Sequence, residues 1–526
     1  MVNGLRTQTP FLETGLSWSN EWMRWSSEFG KTDMREFSAP EIADLVELQR
    51  TAFLRDGPPS VEVRRDRIDR LSALTFENAD AIAEAIRLDF GSRSAYTSKF
   101  LEIMVSIRDV ANIRRNVAKW MKPRTVMGFT RPLGITTRVQ AQPLGVVGII
   151  APWNGPVLLL TQPATAALAA GNRVILKASE TTPHTASLLA ELAEKYFRPE
   201  ELAVVTGGPT TGAAFASTPF DHLLFTGSPQ IAKHVQRAAA ENLVPVTLEL
   251  GGKNPVVVAR DADLATAAQR VARARVFNGG QVCVCPDYVF VPSDRLEEFV
   301  AGVEREFRRA FPTILGNPDY CSIVDDKNYK RVVGLIEDAR DKGATVVSAT
   351  PAGEALPSPM QRCIAPTVLT GVNDEMDVMH EEVFGPVLSV LPYERLNDVI
   401  DYVNARPSPL AAYWYGGNTE EFRTFCSRTR NGGITRNDCG LHALIPEAPF
   451  GGVGRSGSGA YHGKAGFDAF SHYRTVSESR LPASITALAL PPVPRLATNS
   501  VDWILRTQSR RLRKRKRIDR FERARL

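Results

Sequence analysis

Cysteine is scarce in this chain: six in 526 residues, at positions 283, 285, 321, 363, 426 and 439. So sparse a set builds no disulfide framework and suits a reducing cytoplasm. Cys283-Val284-Cys285 lacks the spacing of paired zinc ligands, and no Cys/His cluster accompanies it, so no metal site is expected. Nowhere does an apolar run approach the roughly 18 residues of a membrane span. Residues 1–33 have no apolar core of the signal-peptide kind, which argues against export. That stretch carries Trp18, Trp22 and Trp25; residues 1–37 read as a mobile N-terminal extension, with Met34 as the alternative true start. Internal repeats and low-complexity linkers are also missing. What remains, 43% hydrophobic and 23% charged, is the composition of a soluble globular protein with two or three domains.

Charge is unevenly placed. The net charge is +6, yet residues 506–526 hold eleven Lys or Arg against Asp519 and Glu522, a local +9, so the rest of the chain carries −3. Trp503, Ile504 and Leu505 precede this basic tail. An apolar anchor followed by cations can bind anionic lipid or nucleic acid non-specifically; the blander reading is a solvated, disordered tail.

Hydrophobic periodicity organises the body. Residues 41–55, 62–90 and 97–122 read as helices. Val146-Val147-Gly148-Ile149-Ile150 then reads as a strand buried on both faces. Helical and strand patterns alternate from there. Helices are expected at 158–170, at 183–197 and from Ser228, and strands at 173–177, 203–206 and 222–226. The alternation resumes after Glu249, with strands at 255–259 and 288–291 and helices at 263–277 and from Arg295. This is an α/β chain with parallel sheets and helices on both faces. Residues 136–142 alternate apolar and polar and read as an extended arm outside both cores.

Two stretches carry chemistry. Glu249-Leu250-Gly251-Gly252-Lys253 is followed by Phe277-Asn278-Gly279-Gly280-Gln281-Val282-Cys283, so a carboxylate and a thiol lie 34 positions apart, each beside glycines. Glycine lets a backbone approach a ligand closely. A thiol attacks a carbonyl carbon, and a carboxylate activates the water that later releases the acyl group. An isolated pair of this kind is more often a buried structural Cys and a helix-capping Glu.

Further motifs tip the balance: Pro152-Trp153-Asn154, Lys177-Ala178-Ser179-Glu180, Phe225-Thr226-Gly227-Ser228, Glu382-Val383-Phe384-Gly385-Pro386 and Pro449-Phe450-Gly451-Gly452. With the two stretches above they make seven in order, and from about residue 38 to 475 the chain resembles the NAD(P)-dependent aldehyde dehydrogenase superfamily. Asn242-Leu243-Val244-Pro245-Val246-Thr247-Leu248, Cys285-Pro286-Asp287-Tyr288 and residues 459–467 make it most similar to the coniferyl aldehyde dehydrogenase branch of the class 3 enzymes.

The resemblance implies a Rossmann-type cofactor domain (38–248, with 129–142 in an oligomerisation arm) and an α/β catalytic domain (249–440). Residues 441–475 return to the cofactor domain and arm, and 476–526 form the tail. It implies a cytoplasmic homodimer or homotetramer that oxidises an aldehyde, in this branch an aromatic one, to the acid. Cys283 is then the nucleophile, the amide of Asn154 and the N–H of Cys283 the oxyanion donors, and Glu249 the base that hydrolyses the thioester. Cys285 falls outside the Gln-x-Cys position. Cofactor contacts carry over to Trp153, Lys177, Glu180, Gly227, Ser228, Glu382 and Phe384. Glu180 faces the adenosine ribose, where a carboxylate repels a 2′-phosphate and favours NAD, with NADP as the alternative. Ala232 stands where many relatives have a second glycine. Other readings are an acylating or reductive semialdehyde enzyme of the same fold, against which Glu249 argues, and a non-catalytic member that binds membrane or nucleic acid.

Overall fold

The structure, a computed structural model, describes residues 34–481, 484, 490–493 and 495–523. The extension at 1–33 and its tryptophans lie outside the described residues. Two compact units are distinguished. The first comprises the described residues up to Lys122 together with Ala141–His472.

That unit contains two sheets. In the six-stranded sheet the order is Gly457–Ser458, Val246–Leu250, His222–Gly227, Val146–Ile150, Arg173–Lys177, Leu202–Val205. All neighbours are parallel except Gly457–Ser458, which runs antiparallel to Val246–Leu250. Val146–Ile150 is central. The chain builds outward from it to one side, then crosses back to build the other. In such sheets ligands bind beyond the carboxyl ends of the strands where the order reverses. The strands are apolar on both faces because helices cover both, among them Leu158–Ala170, whose described side chains are nearly all buried.

The seven-stranded sheet has the order Thr345–Ser348, Thr367–Thr370, Val387–Tyr393, Pro286–Pro292, Asn254–Val258, Ala411–Tyr415, Gly433–Arg436. Only its first pair is antiparallel. Gly251-Gly252-Lys253 alone joins the last residue of one sheet's Val246–Leu250 to the first of the other's Asn254–Val258.

Two expected helices are interrupted. The periodic stretch 62–90 splits into Val61–Phe76 and Ala79–Phe90. Asn78 causes the break: its side-chain amide donates to the Leu74 carbonyl at 2.9 Å, ending one helix, and its carbonyl accepts from Ile82 at 2.9 Å, starting the next. Within 97–122, a π-helical turn at Phe100–Met104 separates Ala95–Lys99 from Val105–Trp120.

The second unit comprises Pro123–Gln140 and the described residues from Tyr473 on. Its three-stranded sheet, Arg124–Val126, Ile135–Pro143 and Ser471–Ser479, includes the expected extended arm. The described part of the basic tail, residues 506–523, is helical. A 29-residue helix, Arg495–Arg523, begins eleven residues before the cation-dense segment that opens at Arg506, because no Pro or Gly in 495–523 breaks it. Its Trp503, Ile504 and Leu505 are exposed. No described helix is long and apolar enough to cross a membrane.

Candidate active site

Every residue expected of the cofactor side sits at or just past a strand's carboxyl end. Trp153 and Asn154 follow Val146–Ile150, Lys177 closes Arg173–Lys177 with Glu180 just beyond, Gly227 closes His222–Gly227, and Glu249 is in Val246–Leu250. The other sheet contributes from its amino ends: Cys283 precedes Pro286–Pro292, and Glu382 and Phe384 precede Val387–Tyr393. One sheet's carboxyl edge thus meets the other's amino edge at the candidate reacting groups.

Cys283 is partly open to solvent and packs against Leu410, Phe450 and Tyr461. Its surroundings push the thiol up to about 12, chiefly through burial and then through the charges of Glu382, Cys285 and Glu249. Its own backbone N–H faces the sulfur and pulls the other way. Cys285 differs. It is buried, and its thiol donates to the Ala274 carbonyl at 3.2 Å.

Glu249 is buried, and neither carboxylate oxygen has a hydrogen-bond partner among the described residues. Burial raises its pKa well above the carboxylate range. The N–H of Gly452 opposes this only weakly, since it falls outside hydrogen-bonding geometry. The Pro449-Phe450-Gly451-Gly452 motif explains itself here. Gly457–Ser458 pairs with Leu248 and Glu249, folding the motif over the carboxylate, and a Cβ on Gly451 would lie 2.9 Å from Glu249 Oε1. Two segments 200 positions apart are therefore needed to bury one acid.

Asn154 is buried. Its amide donates to the Gln281 carbonyl at 3.2 Å, and its own carbonyl accepts from the Asn278 amide at 3.3 Å. Asn278 (φ 52°) and Gly279 (φ 64°) are left-handed, which turns the chain sharply ahead of Cys283. Gln281 locks the turn from below: it donates to the Asn278 and Ser322 carbonyls, both at 3.0 Å, and accepts from Val324 at 3.0 Å. Asn254 holds it from beyond, donating to the carbonyls of Cys283 (2.8 Å) and Cys285 (2.9 Å) while accepting from Ala411 (2.9 Å). The sequence reading missed these supports. Asn-Gly-Gly is a turn signal that could have found Asn278; Asn254, opening an apolar strand, carried none.

Glu382 reaches the Gly251-Gly252 link so closely that a Cβ on Gly251 would sit 2.1 Å from its carboxylate. Burial pushes Glu382 up to about 8, and Asp287 adds to this; the Gly252 N–H and Lys253 offset part. Lys253 is salt-bridged to Asp287 and donates to the carbonyls of Val378 (2.7 Å) and Glu381 (3.0 Å). Arg331 donates to the carbonyls of Glu382 (3.2 Å) and Val383 (2.8 Å). Partly buried cations thus fix the backbone that presents Glu382 and Phe384. Phe384 is left-handed (φ 48°) and meets Trp153 edge-on, ring centroids 5.4 Å apart.

The remaining cofactor candidates form a second group. Lys177 is buried, donates to the Ala178 carbonyl at 2.7 Å and lies 3.6 Å from the half-exposed Glu180 carboxylate. Glu36, which the sequence reading overlooked, also acts on Lys177; it accepts from Gly208 at 2.9 Å and from Thr211. Ser228 caps the twelve-residue helix Pro229–Ala240 by accepting from Ile231 at 3.4 Å. A helix start suited to phosphate and a cation–carboxylate pair suited to ribose hydroxyls make a donor set that fits a dinucleotide.

Comparison with known proteins agrees. The profile described as "Aldehyde dehydrogenase family" matches residues 32–476. The chain is 45% identical over 438 residues to the coniferyl aldehyde dehydrogenase of Pseudomonas sp. (strain HR199 / DSM 7063), covering 83% of this chain and 91% of that protein. It is 35% identical to the "Aldehyde dehydrogenase, dimeric NADP-preferring" of Rattus norvegicus, covering 86% and 98%. Among solved structures, the substrate-bound state of Staphylococcus aureus AldH superposes with a TM-score of 0.81 at 30% identity, covering 88% of this chain and 99% of that one.

Proposed function

This chain belongs to the aldehyde dehydrogenase family, and from that premise we propose how its own residues carry out NAD(P)-dependent oxidation of an aldehyde to the carboxylic acid. The reported relatives lend no support to an acylating enzyme or a non-catalytic member of the fold.

Cys283 is the nucleophile, and its sulfur adds to the aldehyde carbon to give a thiohemiacetal. The Asn154 amide and the Cys283 N–H bind the oxyanion that forms; donors of this kind contribute roughly 3–4 kcal/mol each. An oxidised nicotinamide cofactor, once bound, would supply the hydride acceptor, and loss of hydride from the former aldehyde carbon leaves a thioester on the Cys283 sulfur. Glu249 then takes a proton from the water that cleaves the thioester. The observation that carries this reading is Glu249 itself: a buried acid without a hydrogen-bond partner, beside the thiol, whose raised pKa suits a base. Trp153, Lys177, Glu180, Gly227, Ser228, Glu382 and Phe384 hold the cofactor.

The substrate is an aromatic aldehyde of the coniferyl type. Its support is the 45% identical Pseudomonas relative and the aromatic wall at Cys283, where Phe450 stacks on His462 with centroids 5.2 Å apart. A purified-protein assay of NADH formation across aromatic and medium-chain aliphatic aldehydes tests this. Higher kcat/KM for an aliphatic member overturns it. NAD is the preferred cofactor because of Glu180; Glu180→Gln should raise the NADP/NAD ratio of kcat/KM, and an unchanged ratio sinks that role.

The protein works as a homodimer or homotetramer in the cytoplasm, a reading supported by the dimeric rat relative and tested by sedimentation. Its basic tail touches anionic membrane peripherally. The attraction is electrostatic, on the order of 1 kcal/mol per cation near the leaflet. Removing residues 506–526 should leave aldehyde oxidation intact and abolish salt-sensitive co-sedimentation with phosphatidylserine vesicles. Equal sedimentation of both forms, or of neither, makes the tail a solvated extension.

A further inference from the structure

Beneath the Asn154 loop lies an ion pair with no exposed surface. Glu102 and Arg93 meet at 2.7 Å, and both side chains are 0% exposed. A buried pair is costly to desolvate and gives weak evidence of a role in stability. Arg93 is also poorly served otherwise: its Nε and Nη1 are buried without hydrogen-bond partners among the described residues. The second Glu102 oxygen shows what the pair does. Oε2 accepts from the backbone N–H groups of Val157 (3.1 Å) and Leu158 (3.0 Å).

Those N–H groups open the helix Leu158–Ala170, which has no side-chain cap of its own. The first N–H groups of any helix lack intrahelical partners. Here the acceptor comes from 55 positions away in the chain. It comes from the π-helical turn Phe100–Met104, whose extra residue per turn re-aims the side chains beyond it. Between strand end Ile150 and the capped N–H groups runs Ala151-Pro152-Trp153-Asn154-Gly155-Pro156. Two prolines in this segment donate nothing. Glu102 Oε2 lies under Gly155, 3.9 Å from where a Cβ would project. The segment that carries Asn154 is thus anchored at one end by the sheet and at the other by Glu102.

We infer that Glu102, held by Arg93, is a positioning residue that fixes the Asn154 amide for the oxyanion. This rests on the proposed role of Asn154. Glu102 touches no reacting atom; it acts through the loop. An acceptor beneath Val157 and Leu158 matters, and Arg93 serves to keep that acceptor aimed.

Two charge-free pairs separate acceptor from charge, because neither leaves a buried ion unpaired. Arg93→Met with Glu102→Gln retains an oxygen for the two N–H groups; Arg93→Met with Glu102→Leu removes it. The leucine pair should lose about 10- to 100-fold in the pre-steady-state rate of NADH formation, the size expected when a catalytic group is misplaced by an ångström. NAD affinity, read by fluorescence quenching, should stay within about two-fold. The glutamine pair should recover most of the loss. Glu102→Asp, which keeps the charge but shortens the reach, gives an intermediate rate and serves if the leucine pair does not fold.

The decisive measurement repeats each variant in the Asn154→Ala background. If Glu102 acts through Asn154, the losses do not multiply: on top of Asn154→Ala the leucine pair or Glu102→Asp costs less than about two-fold. Multiplying losses make Glu102 an ordinary structural cap and overturn the inference while leaving the role of Asn154 standing. An Asn154→Ala enzyme of undiminished rate overturns both.

Discussion

The active-site cleft and the arginine-rich layer behind the cofactor sheet treat buried acids in opposite ways. In the layer, Glu201 is 7% exposed and bonded to Arg67 at 3.2 Å and Arg70 at 2.9 Å; these bring its pKa down to about 2 against the opposing effect of burial. Arg173 and Asp56 pair nearby at 2.6 Å, and a groove of about 740 Å³ runs among them. In the cleft, Glu249 has no hydrogen-bond partner among the described residues and its pKa rises, and Glu382 rises to about 8. A satisfied acid holds structure and gives up reactivity. An unsatisfied one costs stability and keeps its basicity available. That groove is accordingly not the candidate reactive place: no cysteine lines it, and its charges are largely neutralised in pairs.

Cys283→Ala attacks the cleft most directly. Losing the sulfur should reduce NAD-linked aldehyde oxidation by at least about 10⁴-fold, as for other covalent nucleophiles, with the far-ultraviolet circular dichroism unchanged. Appreciable turnover would remove Cys283 from its role.

Glu249→Gln should still release one equivalent of NADH rapidly, then turn over about 10²-fold more slowly. The wild-type steady-state rate should climb with pH as Glu249 ionises, and the variant should lose that climb. The sign for stability is opposite. A carboxyl whose pKa is raised in the folded state disfavours folding progressively as pH climbs from the unfolded value of about 4.3 to the folded one. The variant is free of this, so near pH 8 its melting midpoint should equal or exceed the wild type's. A lower midpoint would mean that Glu249 is satisfied after all.

Glu201→Gln is the mirror experiment. Activity should be nearly unchanged, while stability at pH 7 should fall by about 1–2 kcal/mol, an allowance made for the partly exposed Arg70. Because the folded pKa of Glu201 is depressed, its contribution is present above about pH 4.3 and fades as pH falls toward 2. Denaturation at pH 7 and at pH 3 checks this: a difference between variant and wild type that does not shrink at pH 3 contradicts it.

This contrast also marks where the sequence was readable. Strands at 146–150 and 173–177 were legible because both faces are covered and the apolar run is unbroken. The break at Asn78 and the π turn at Phe100–Met104 were not, since both stretches read as helical in sequence; the first arises from a side-chain bond, and the second contains Glu102, whose partners lie 55 and 56 positions away. Cys283 and Glu249 stood out because each lies within a contiguous glycine-containing motif. Asn254 and Glu102 did not, because their meaning lies in partners 29 to 157 positions away. Glu36 and Lys177 likewise meet only in three dimensions.

The smallest expected effect is the sharpest test of the comparison at a single site. Cys285 lies two residues from Cys283 and is the same chemical group, yet the structure treats it as the arginine layer treats Glu201. It is buried, its thiol donates to the Ala274 carbonyl at 3.2 Å, and burial pushes it up to about 11. Asn254 fixes the carbonyls of both cysteines, so the loop keeps its course without the Cys285 sulfur. Cys285→Ala leaves a small cavity and an unpaired carbonyl, a loss of about 1–2 kcal/mol of stability, and kcat/KM should stay within about three-fold of wild type. Alkylation by iodoacetamide, followed by peptide mapping, should label Cys283 before Cys285 in the native enzyme. Faster labelling at Cys285, or an inactive but folded Cys285→Ala enzyme, would reverse the assignment of the two thiols.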